Sequence, residues 1–174
     1  RRAIIIGDDI VVPRICDLPH VLPGLTGKIE LVFEGEQEGS VKVSKALVGK
    51  AVRETFKRYF PDPLRKRPRA TPDQQGGKAQ AEDPEYGAIV RWFEAGNKIE
   101  IADDMTIAEY TKELGKVRGL RDVTKKHMKA MDEHHELPSV MEFVLDGLHQ
   151  SSKIAKDEVD HRTSYTDLVG SIFT

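Results

Sequence analysis

Long apolar runs are missing from this 174-residue sequence. Nowhere does it approach the roughly 18–20 consecutive apolar residues that a helix needs to cross a bilayer, so no membrane segment is expected. Cysteine is nearly absent too. Cys16 stands alone, which excludes an internal disulfide framework and a cysteine-rich structural zinc site, and fits a reducing cytoplasm. Aromatics make up 6% of the chain and Trp92 is the single tryptophan. With 39% apolar and 32% charged residues, the composition predicts a lean core under a highly charged surface. The formal charge of −2 gives nucleic acid or acidic lipid no overall attraction, so any basic contact has to be local.

The motifs of several chemistries are missing as well. There is no G-x-x-x-x-G-K-[ST] loop, no G-x-G-x-x-G, no H-E-x-x-H and no G-x-S-x-G elbow. Nucleotide hydrolysis requires backbone amides around the phosphates, a lysine and an acidic Mg²⁺ partner. These residues do not assemble such a set. No catalytic residue is therefore assigned, and the chain is expected to assemble or regulate rather than catalyse. It opens on Arg1-Arg2-Ala3-Ile4-Ile5-Ile6-Gly7. The apolar run is too short for a signal peptide, and the expectation is a piece of a longer protein.

What is present is helical periodicity, in three pieces. The first, residues 1–65, starts with what resembles a helix end capped by Gly7. Apolar residues then recur at Ile15, Leu18, Val21, Leu22, Leu25, Ile29 and Val32, gaps of three and four that predict a short helix, a kink at the prolines and a second helix. Residues 40–60 predict the clearest helix. Ser40 is a candidate N-cap, the apolar stripe is Val43, Leu47, Val48, Ala51, Val52, Phe56, Tyr59 and Phe60, and Pro61 ends it.

Residues 66–84 hold prolines, a glycine pair and almost no large apolar side chain. They predict a flexible linker or long loop, beside a basic cluster of Arg65, Lys66, Arg67 and Arg69. The third piece, residues 85–174, predicts helices over 86–95, from the Thr106/Glu109 capping box onward, over 119–131 and from Pro138 at the first helical position through Met141, Val144, Leu145 and Leu148. That last helix is expected to continue through Ile154 to Val159. Lys98 to Ile101 alternates and reads as a short extended pairing or as loop. The fold class is thus mainly α, a helical segment and a C-terminal helical domain joined by a linker.

Among polar residues, His127, His134, His135, His149 and His161 cluster late, the last beside Asp157, Glu158 and Asp160. Imidazole with carboxylates is metal-ligand chemistry. Adjacent helical residues diverge by about 100°, however, so His134 and His135 are poorly placed to share an ion, and no metal site is assigned. Cys16 falls in an apolar-periodic stretch and reads as a small buried hydrophobe. The run from Lys28 through Glu30 to Glu34, Glu36 and Glu38 is an apolar segment entering an acidic turn. It reads either as a connection between helices or as an interaction surface.

The stretch VVPRICDLPHVLPGLTGKIELVFEGEQEG at 11–39, with KALVGKAVRETFKRYFPD at 45–62, resembles the part that follows the nucleotide-binding core in bacterial magnesium-chelatase-like AAA+ ATPases, a group related to MoxR-type ATPases. EFVLDGLHQ at 142–150, with Ser152, Lys153 and Ile154, resembles the C-terminal region of the same proteins. The resemblance implies the end of a helical lid plus a helical extension, inert alone, with the sites for ATP and Mg²⁺ upstream in a longer parent. It implies ring assembly with other copies of the same protein and an unidentified client protein as partners. Arg1, Arg2 and Arg14 are the early cations that could approach a phosphate; a surface salt bridge explains each as well. The rival reading is a free-standing helical adaptor that binds a protein or nucleic acid through residues 30–38 or 65–69.

Overall fold

Glycine rather than serine sets the start of the longest helix. A computed structural model describes residues 12–30, 39–64, 85–129, 131–132 and 134–168. Within them Gly39 takes φ +77° as N-cap of helix α2 (Ser40–Tyr59), a backbone angle that glycine adopts without strain, and Ser40 becomes the first helical residue. Upstream, a 3-10 helix (Ile15–Val21) runs directly into the short helix α1 (Leu22–Thr26). Pro19 sits within the first and Pro23 at the start of the second, so the expected break is a change of helix type. The apolar stripe of α2 is narrower than the sequence predicts. Val52, Phe56 and, just past the end, Phe60 are buried, whereas Leu47 and Tyr59 stay 47% and 55% exposed.

Four more helices follow: α3 (Gly87–Glu94), α4 (Ile107–Gly115), α5 (Leu120–His127) and α6 (Glu136–Gln150). The capping box at α4 forms as expected. Thr106 Oγ1 accepts from the Glu109 amide at 3.3 Å, and the Glu109 carboxylate accepts from the Thr106 amide at 3.0 Å. Helix α5 stops at His127, short of the predicted Met131. Helix α6 begins two residues before Pro138. Asp132 prepares its start, accepting the His134 and His135 amides on Oδ1 and the Glu136 and Leu137 amides on its carbonyl. Pro138 is harmless there because the first-turn amides have no partner within the helix.

The expected continuation of α6 to Val159 is not helical. Ser152 adopts φ +54°, and the Ser152 and Lys153 amides fold back onto the carbonyls of His149 and Leu148, which closes the helix. The chain then forms strand β2 (Ala155–Val159), turns through Asp160 and His161 at φ +46° and +63°, and returns as β3 (Arg162–Thr166). Two successive positive φ angles suit the right-handed twist of a tight hairpin. Strand β1 (Ile99–Ala102), the alternating stretch of the sequence, pairs antiparallel with β3 in the register Ile99–Tyr165 and Ile101–Thr163, giving the order β1-β3-β2. The protein is mainly helical with this small sheet.

The pieces at 40–60 and 85–166 share one core. Phe56 and Phe60 stack at 5.1 Å and join Tyr86, Ile89, Phe93, Leu145 and Tyr165. The Tyr86 hydroxyl donates to the Pro61 carbonyl at 2.8 Å. The expected linker at 66–84 lies outside the described residues. Among those described, no helix is long and apolar enough to cross a membrane.

Helices α6 and α2 meet closely at Gly147. A Cβ on Gly147 would lie 2.2 Å from Cδ2 of Phe56, closer than packed carbon atoms tolerate, with a ring rather than a flexible chain in the way. Gly147→Ala should therefore destabilise the chain by about 1–3 kcal/mol through overpacking, although alanine has the higher helix propensity. Urea denaturation measures this, and adding Phe56→Leu should restore part of the loss.

Candidate functional site

Nine of the fifteen residues of α6 are buried, so its polar residues enter the interior with it. Glu142, Asp146 and His149 follow at intervals of four and three, which puts them on one face of the helix. Three other elements supply their partners. The start of the 3-10 helix brings Arg14 and the Ile15 amide, α4 brings Tyr110, and β2 brings Lys156 and Glu158.

Glu142 is fully buried. The Tyr110 hydroxyl donates to its Oε2 at 2.5 Å and the Ile15 amide also hydrogen-bonds it. Its Oε1 has no partner among the described residues. Burial pushes its carboxyl up to about 7, outweighing the hydrogen bonds from Tyr110 and Ile15 and the positive charge of Lys156; the Asp146 carboxylate adds to the upward push. Burial and the facing Glu142 drive the Tyr110 hydroxyl well above its ordinary value, so it stays a donor. Tyr165, also sealed, is raised by burial and by the Glu142 and Asp146 carboxylates, and its hydroxyl lacks a partner among the described residues.

Arg14 is buried as well, at 6% exposure. Its guanidinium lies 4.3 Å over the Tyr110 ring and Nη1 donates to the Met105 carbonyl at 2.9 Å. Planar guanidinium on an aromatic face is a stabilising arrangement. Of the three cations proposed to approach phosphate, Arg14 is thus an interior clamp between the 3-10 helix and α4, and not a surface ion pair. Arg1 and Arg2 lie outside the described residues.

One turn along α6 from Glu142, Asp146 Oδ1 accepts from Lys156 Nζ at 3.1 Å, and Lys156 also reaches Glu158 Oε1 at 2.6 Å. Burial works to neutralise Lys156, but the two carboxylates outweigh it and raise its affinity for the proton. This triad forms the polar wall of a cavity of about 440 Å³ between the 3-10 helix, α2, α6 and β2. His149 and Gln150 add to that wall, Leu18, Val48 and Val52 line the apolar side, and Lys45 lies at the exposed end. Gly49 allows Gln150 in, since a Cβ there would lie 2.7 Å from its Oε1. The arrangement can hold a small ligand by hydrogen bonds. Nothing in it forms a nucleophile–base pair.

The other singled-out residues disperse. Lys28 and Glu30 are exposed after α1, whereas Glu34, Glu36 and Glu38 lie outside the described residues, as do Arg65, Lys66, Arg67 and Arg69 of the basic cluster. His127 bonds Glu85 and packs edge-on against Phe60, His135 meets Asp132, and His161 meets Asp103. Among the described residues no three His, Cys, Asp or Glu side chains converge as a metal site. Cys16 is half-buried. Sequence reasoning missed Tyr110, Asp146 and Lys156; the one signal available was the polar stripe Glu142, Asp146, His149 within an otherwise apolar helix.

The buried carboxyl fixes a pH dependence. Unfolded, Glu142 releases its proton near 4.5; folded, near 7. Between these values the folded chain holds the extra proton, so its stability falls as pH rises through the window and levels off above it. Glu142→Gln removes this slope while keeping an acceptor for Tyr110. Its stability relative to wild type should increase by on the order of 2 kcal/mol between about pH 5 and about pH 7.5, read from denaturation curves at each pH. An unchanged difference would show that Glu142 is ionised throughout.

Comparison with protein-family models, with curated proteins and with solved structures finds no match for this chain.

Proposed function

We propose that this chain is the C-terminal regulatory and oligomerisation part of a magnesium-chelatase-like AAA+ ATPase, inert by itself, with the ATP and Mg²⁺ sites in a part of the protein upstream of it. One observation carries the reading. The two stretches that resemble such ATPases lie far apart in the sequence yet meet in space. The Ile15 amide of the first bonds Glu142 of the second, Phe56 of the first seats against Gly147 of the second, and the cavity wall draws on both. Two separate resemblances to one group of proteins are what a single inherited packing unit would leave in a sequence.

In this role the unit passes the state of the nucleotide site to neighbouring copies of the same protein or to a client protein. Apolar side chains for such contacts are exposed on the 3-10 helix and α2, among them Val21, Val41 and Leu47. Lys28 and Glu30 add charge beside them. The proposal puts the protein in the cytoplasm and assigns it neither a membrane nor a nucleic-acid partner.

Nucleotide binding, ATP turnover and mass by light scattering, measured on this chain and on the longer protein side by side, test the reading. The chain should be inert, and the longer protein should hydrolyse ATP and assemble when nucleotide is present. Leu47→Glu in the longer protein should weaken assembly and leave the melting temperature of the isolated chain nearly unchanged, as for an exposed position. Turnover by the chain alone would overturn the proposal. A longer protein that is inert and monomeric would replace it with the helical adaptor.

A further inference from the structure

The cavity between the 3-10 helix, α2, α6 and β2 is balanced in charge. Lys156 is matched by Asp146 and Glu158 at 3.1 and 2.6 Å, and Lys45 at the exposed end brings the lining to two ammonium groups against two carboxylates. The opposite wall is aliphatic, made by Ile15, Leu18, Leu22, Val48 and Val52, and the lining holds no Phe, Tyr or Trp on which a flat ring could stack. One polar group on the wall is uncommitted. The Gln150 carboxamide is half-buried beside Gly49, whose missing Cβ lets it lie close to the α2 backbone, and it makes no hydrogen bond among the described residues. Its nitrogen and oxygen are not sealed in the interior, and the residue lines the cavity. Whichever way the amide is turned, it presents one donor and one acceptor side by side.

An ion of either sign would give up its water and meet charges that already match one another. A neutral molecule keeps the balance. The aliphatic wall selects an alkyl body through the area it removes from water, and the donor and acceptor of Gln150 are complemented by a head that carries one of each. A carboxamide supplies both in one planar group. The volume of about 440 Å³ is in the range of small-ligand pockets. We propose that this cavity binds a small uncharged aliphatic amide, its head paired with the Gln150 carboxamide and its alkyl chain lying on Leu18, Val48 and Val52. This site is independent of the ATPase reading, and either can fail without the other.

Titration of the chain with hexanamide, followed by two-dimensional amide NMR, tests the proposal against two charged controls of the same chain length, n-hexylammonium chloride and sodium hexanoate. Hexanamide should shift the amides of Val48, Gly49 and Gln150 saturably, and each control should bind about tenfold more weakly or worse. Gln150→Ala removes a side chain that holds no partner among the described residues, so the chain keeps its fold, and binding should weaken about tenfold. Val48→Phe fills the cavity from its half-buried apolar side, leaves every polar group in place and should abolish binding in a chain that still melts cooperatively. Absence of a saturable shift, a control that binds as tightly as hexanamide, or undiminished binding by either folded variant would each overturn the proposal.

Discussion

A carboxylate without water must be surrounded by donors or hold its own proton, and Glu142 imposes that condition on this fold. Its position on α6 gives it no exit to solvent, so its partners come from elsewhere in the chain: a hydroxyl from α4 and a backbone amide from the start of the 3-10 helix. Each contact is local in space and remote in sequence. Tyr110 is in turn held from its other side by the Arg14 guanidinium, whose remaining reach is taken up by the Met105 carbonyl. The cluster therefore ties the 3-10 helix, α4 and α6 by directional bonds where apolar packing alone would leave their rotation free. Removing one partner of such a group costs more than the pair contributes, because the other stays buried and unmatched.

The apolar contacts of α6 complement this polar tie. At Gly147 the helix has no side chain, and the Phe56 ring lies against its backbone. Phe60 stacks on that ring and Phe143 packs against both. Helix α2 is thereby seated on the aromatic cluster by its C-terminal half, while in its N-terminal half Ser44 is buried and Gly49 faces Gln150 of α6. Its N-terminal half meets α1 and the rim of the cavity, which accounts for the exposure of Val41 and Leu47. The cavity is a consequence of the same geometry: α2 touches α6 closely at Gly147, and the space between them toward Lys45 is bounded by the side chains of the 3-10 helix.

Much of the helical skeleton was legible in the sequence because it rests on local signals. The stripe that ends in Phe56 and Phe60, the Thr106/Glu109 box, Gly96 after α3 and the apolar face from Met141 to Leu148 all state their structure within a few residues. Failures came where a remote partner or an unusual backbone angle decided the outcome. Residues 155–159 alternate too weakly to announce a strand, and the turn that makes them one uses Asp160 and His161 where glycine or asparagine is the ordinary signal. His161, beside its acidic neighbours, turns out to be a turn residue at φ +63°. Gly39 displaced Ser40 as cap because the chain arrives there at positive φ, which no residue pattern displays.

The site was the least legible part, for a physical reason. A buried charge is recognised by its counter-charge, and the counter-charge of Asp146 lies on the far side of a helix end and a strand start, at Lys156. The Glu142–Asp146–His149 stripe looks like a solvated face by periodicity, and it would be one if α6 were a surface helix. Its apolar residues say otherwise: with Val140 and Phe143 packed against the core beside Leu137, Met141, Val144, Leu145 and Leu148, apolar side chains span more than half the circumference at about 100° per residue, so α6 has to be enclosed, and any polar stripe on it has to be matched from outside. A helix too apolar to lie on a surface, carrying carboxylates at intervals of four, signals an interior polar cluster. What the sequence leaves open is which elements close it, and here these are Tyr110, the 3-10 helix and β2.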